Sequence, residues 1–71
     1  MRLNHSEIKN VIEAALLGGG RPLSLEQLSG LFGKRSAPDR KMLKDILREL
    51  ATDYEGRGIE LKEVGSGYRI Q

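Results

Sequence analysis

The sequence predicts an α+β fold in which three short helices precede a small antiparallel sheet. Three observations carry that reading. Apolar residues recur at helical spacing in three segments, as one buried face per helix requires. Glycines punctuate the chain at 18–20, 33, 56 and 58. A short alternating stretch then turns back on itself around Gly65-Ser66-Gly67. Seventy-one residues leave room for one domain with one core. The 38% apolar and 31% charged fractions are those of a folded chain rather than a disordered tail. With no cysteine, disulfides and thiolate metal sites are excluded, and a reducing compartment is the simpler inference. The longest apolar run, Ala14 to Leu17, is far too short to span a membrane, and no signal-peptide pattern opens the sequence. A cytoplasmic location is expected.

In the first helix, Asn4 or Ser6 supplies a capping oxygen. Ile8, Val11, Ile12, Ala15 and Leu16 form its apolar stripe, and Gly18-Gly19-Gly20 stops it. Leu17 points away from that stripe, and Leu3 precedes the cap. Together they mark an expected apolar patch near the ends of this helix, a candidate dimer or partner surface. Arg21-Pro22-Leu23 is extended, because proline drives its predecessor out of the helical region. Ser24 and Gln27 make a capping box for a second helix carrying Leu25, Leu28, Leu31 and Phe32. Gly30 within it predicts close packing or an early end.

The third helix is expected to start at a Ser36 cap, with Pro38 and Asp39 in its first turn, and to run to about Tyr54. Leu43, Ile46, Leu47, Leu50 and Tyr54 share one side of it. Ile59 to Val64 alternates as a half-buried strand, and the slip at Glu63-Val64 suggests a bulge. Tyr68-Arg69-Ile70 returns as its partner. With Leu23 as a third strand, this order is that of a winged helix-turn-helix. The second wing strand reaches Gln71, where the sequence stops, so residues 1–71 are expected to be one winged-helix domain, an N-terminal piece of a longer two-domain protein.

No catalytic, cofactor-binding or metal site is expected. His5 is alone, whereas zinc needs three or four converging ligands. The glycine triplet follows a helix and lacks the Lys-Ser/Thr of a phosphate loop. Ser24, Ser29, Ser36 and Ser66 have no evident base. Glu49/Asp53 and Glu60/Glu63 read as solubilising charges.

The net charge of +2 conceals a local excess. Residues 34–48 hold six cations against Asp39 and Asp45, a net of +4. At about 100° per residue, Arg40, Lys41, Lys44 and Arg48 fall on one arc of the third helix. That helix enters the major groove when such folds bind DNA, which makes these four the candidate contacts. Lys41–Asp45 and Asp45–Arg48 ion pairs on a solvated face are the plainer reading. Asp45, Glu49 and Asp53 on the next arc would repel phosphate. The balance predicts at most weak, sequence-independent binding.

Several segments give a family resemblance. They are Ile12-Glu13-Ala14-Ala15-Leu16-Leu17, Pro22-Leu23-Ser24-Leu25-Glu26-Gln27-Leu28, Tyr54 to Val64 with its Gly-Arg-Gly-Ile-Glu-Leu core, and Gly67-Tyr68-Arg69-Ile70-Gln71. Across the whole chain they resemble the N-terminal winged-helix domain of segregation and condensation protein B. That family is the accessory subunit of the bacterial SMC (condensin) complex. The resemblance implies a non-enzymatic, cytoplasmic, nucleoid-associated protein without cofactor. It also implies a homodimer that clasps the kleisin (ScpA-type) subunit and through it meets the SMC ATPase. Lys34, Arg35, Arg40 and Lys41 depart from the acidic opening this family commonly has in its third helix. The competing class is a winged-helix DNA-binding transcription regulator, and fold alone does not choose between them.

Overall fold

The computed structural model describes residues 3–71. Four helices and a hairpin follow one another: α1 (His5–Gly18), α2 (Leu25–Ser29), α3 (Gly33–Ser36), α4 (Arg40–Asp53), β1 (Leu61–Val64) and β2 (Gly67–Ile70). The architecture is α+β and of winged-helix type, as the sequence predicts.

Asn4 caps α1. Its Oδ1 accepts from the Glu7 N–H at 2.9 Å, and Glu7 Oε1 accepts from the Asn4 N–H at 2.9 Å. The reciprocal pair satisfies two donors that a helix start leaves free. Ile8, Ile12 and Leu16 are buried, whereas Val11 is exposed, so the buried stripe is narrower than the sequence pattern suggests. The left-handed residue that ends the segment is Gly20, at φ +68.

Ser24 and Gln27 form the expected box on α2, and the helix ends early at Gly30. Leu31 therefore falls outside the helical stripe and stands 45% exposed, while Phe32 turns into the core. The next four residues wind into α3, a single turn the sequence does not announce.

The cap of the long helix is Asp39, not Ser36. Asp39 Oδ1 accepts from the Met42 N–H at 2.8 Å, and Pro38 precedes the cap. Proline explains the choice. A Ser36 cap would require Ala37 to be helical, and the residue before proline avoids that region. Ala37 is extended, at φ −65 and ψ 128. From Arg40 onward, Leu43, Ile46, Leu47 and Leu50 are buried as predicted, and Tyr54 follows at the C-cap.

These side chains join Ile8, Ile12, Leu16, Leu28 and Phe32 in one core. Fully burying each of the larger aliphatic ones contributes about 1.5–3 kcal/mol. The Tyr54 hydroxyl donates to the Glu13 carboxylate, which ties the end of α4 to α1. Burial, then the Glu13 hydrogen bond and charge, raises the Tyr54 pKa well above the usual tyrosine value.

The wing is regular. Leu61↔Ile70, Lys62↔Arg69, Glu63↔Tyr68 and Val64↔Gly67 pair one to one, so no bulge interrupts it. Glu63 keeps to the face of Leu61 and Tyr68. It sits where that face leaves the core, in a groove that Arg40 and Lys44 also line, which explains the apparent slip in alternation. Ile59 lies before the strand, although Glu60 and Gln71 exchange backbone hydrogen bonds of 2.9 and 3.0 Å beyond its end. Leu23 contributes a single bridge to Tyr68, through bonds of 2.9 and 2.8 Å, rather than a full strand. Gly67 makes that bridge possible. At φ +149, a Cβ there would lie 2.4 Å from the Leu23 carbonyl atoms.

Candidate functional site

The charged residues of α4 sort by the direction they face. Glu49 and Asp53, one turn apart, meet α1. Lys9 Nζ lies 2.8 Å from Asp53 Oδ2 and 3.4 Å from Glu49 Oε1, and His5 Nε2 lies 2.8 Å from Glu49 Oε2. The Asp53 hydrogen bond raises the Lys9 pKa, against a smaller opposing effect of burial, with Glu49 adding to the rise. These carboxylates are thus engaged in joining two helices, and His5 is part of that junction. Sequence reasoning read Glu49 and Asp53 as solubilising charges and His5 as a lone side chain. The signal was present: His5 and Lys9 are four apart on one helix, and Glu49 and Asp53 four apart on the other.

Arg40, Lys41, Lys44 and Arg48 occupy the other arc, and all four are exposed. They line a shallow surface together with Asp45. The two predicted local pairs are present, Lys41–Asp45 at 3.1 Å and Arg48–Asp45 at 3.9 Å. Among the described residues, Arg40 and Lys44 make no ion pair. Toward the wing they border a groove shared with Glu26, Glu63 and Tyr68. Burial and the Glu63 charge raise the Tyr68 pKa there, with Arg40 acting in the opposite direction.

Leu17 stands 58% exposed, as its place off the stripe predicts. Leu3 does not share its surface. It packs against the core just before the start of α1, whereas Leu17 is in the last turn, more than three helical turns away. The apolar residues that accompany Leu17 on the outer side of α1 are Val11 and Ala14, both exposed.

Residues 10–71 match the family model for segregation and condensation complex subunit ScpB. The chain belongs to this family. A segregation and condensation protein B homolog from Coxiella burnetii is 46% identical over 63 residues, covering 89% of this chain and 30% of that protein. The segregation and condensation protein B of Syntrophotalea carbinolica is 36% identical over 67 residues, covering 92% of this chain and 32% of the relative. This member of the ScpB family therefore spans about a third of the length of the curated relatives it matches. A crystal structure of a conserved hypothetical protein from Chlorobium tepidum superposes with a TM-score of 0.78 at 25% identity, over 94% of this chain and 41% of that one. The match supports the winged-helix architecture independently of the family's name.

Proposed function

We propose that this chain is the N-terminal winged-helix domain of a longer chromosome segregation and condensation subunit, acting in the cytoplasm on the nucleoid without catalysis. Its work is to hold other proteins: a second copy of itself, and the kleisin subunit that links it to an SMC ATPase. The family match over residues 10–71 is the observation that carries this reading. The side chains support it. Ser24 serves as a helix cap, and His5 joins two helices through Glu49. The outer side of α1 offers Val11, Ala14 and Leu17 to a partner. A stable dimer typically buries about 800 Å² per partner, about a sixth of the 5036 Å² this chain exposes.

Sedimentation of the chain at micromolar concentration tests the first half, with dimer expected and Leu17→Asp weakening it. Titration with the kleisin subunit from the same genome tests the second half. A monomer at all concentrations that also ignores the kleisin would contradict the proposal. The regulator reading draws on the exposed cations of α4, and nanomolar binding to a single DNA sequence would favour it.

A further inference from the structure

The four cations of α4 share an arc that the fold does not use. Glu49 and Asp53, which by sequence would oppose an approaching phosphate, turn toward α1 and are met there by Lys9 and His5. What remains on the outer arc is Arg40, Lys41, Lys44 and Arg48, edged by Asp45, which pairs with Lys41 and Arg48, and by the half-exposed Glu49 next to Arg48. The side chains of Lys41 and Arg48 are 85% and 79% exposed, so packing asks little of them.

We propose that this arc is a binding surface for the phosphate backbone of duplex DNA, without sequence preference, in which Arg40, Lys44 and Arg48 are the contacts. This rests on charge and geometry alone and stands apart from the protein-holding role proposed above. The three residues recur at i, i+4 and i+8, a nearly straight row rising about 6 Å per step. A linear row of cations complements a linear polyanion of regular charge spacing.

The chemistry of the arc selects nucleic acid over an acidic protein. A protein interface is built around a desolvated core of apolar and aromatic anchors. Between Arg40 and Thr52 the exposed residues are Lys41, Lys44 and Arg48, with Asp45 and Glu49 half-exposed beside them and no large apolar side chain among them. A polar, strongly positive, exposed helix face is the composition of a DNA-contacting surface. The arc carries no Asn or Gln to read adenine, and Asp45 at its edge, paired with Lys41 and Arg48, opposes phosphate there. Glu26 and Glu63 border Arg40 and Lys44 on the wing side and limit the strength of binding.

Fluorescence anisotropy of the chain against two unrelated labelled duplexes, over a salt series, tests the surface. The expected Kd is at or above about 10⁻⁵ M near physiological salt, the same for both duplexes within about twofold. The slope of log Kobs against log salt should lie near −2.7, from about 0.9 per contacted phosphate. Arg40→Glu with Lys44→Glu and Arg48→Glu should abolish binding while circular dichroism shows the helices retained. The milder Lys44→Ala with Arg48→Ala should flatten the salt slope by about two. Asp45→Asn should tighten binding several-fold. Failure to bind either duplex at about 50 mM salt would overturn the proposal, as would unchanged binding by the folded variants. Equal affinity for labelled polyglutamate would assign the arc to an acidic protein segment instead. A preference of tenfold or more for one duplex would refute sequence independence.

Discussion

On one flank of α4, Glu49 and Asp53 meet Lys9 and His5 of α1; on the other, Arg40 and Lys44 meet no counter-ion among the described residues. Both flanks are charged stretches of the same helix at the same spacing, and the sequence treats them alike. A second helix distinguishes them, because His5 and Lys9 lie on the side of α1 that faces α4. Polar groups paired across an interface between elements belong to the fold. Charges left on an outer arc are available to something else.

Both flanks depend on the apolar side of α4 holding the helix in place, so the largest effect comes from there. Leu50→Ala, at a fully buried position, should cost about 2–5 kcal/mol in urea unfolding, and Leu47→Ala should fall in the same range. Losses below about 1 kcal/mol at both would mean the helix is oriented otherwise, and the comparison of flanks would lapse. Next comes the wing that borders the basic flank. Gly67→Ala places a methyl group on the Leu23 backbone at φ +149, and should cost about 2–4 kcal/mol through strain and overlap.

The pH dependence of the α1–α4 junction sharpens the comparison further. Tyr54 has a pKa raised in the folded protein by burial and Glu13. Its contribution is complete below the ordinary tyrosine value near 10, and declines as pH rises from there toward the folded pKa. Unfolding measured at about pH 9 and about pH 11 should therefore show a loss in the native chain that Tyr54→Phe reduces. Equal losses in both proteins would remove Tyr54 from the junction. The smallest effects separate the flanks themselves. Lys9→Ala should cost about 0.5–1 kcal/mol, fading in about 1 M salt, whereas Lys44→Ala should stay within about 0.5 kcal/mol. Equal costs would erase the distinction.

The parts of the fold legible in the sequence are those that local patterns specify. Leu43, Ile46, Leu47, Leu50 and Tyr54 recur with helical period, and Ser24 with Gln27 announces a helix start three residues apart. The turn at Gly65-Ser66 follows from its composition. Features missed were those settled by competition or by distance. Ser36 and Asp39 are both good caps, and the constraint that Pro38 places on Ala37 decides between them. One turn of helix at Gly33–Ser36 is too short to show a period. Glu63 breaks the alternation of the wing only because its face runs past the core toward Arg40. The joining of His5 and Lys9 to Glu49 and Asp53 spans some forty residues of chain, and appears only once α1 and α4 are set side by side. The candidate surfaces divide in the same way. Leu17 and the basic arc follow from helical angles, whereas the seating of Leu3 against the core depends on tertiary packing.

Calorimetric titration of the chain with the kleisin subunit from the same genome tests the central claim most directly. A domain built to hold a protein should give saturable binding, with a Kd of about 10⁻⁶ M or tighter, that survives charge reversal at Arg40, Lys44 and Arg48. No measurable heat with the kleisin, together with nanomolar binding to one DNA sequence through those same three residues, would contradict it.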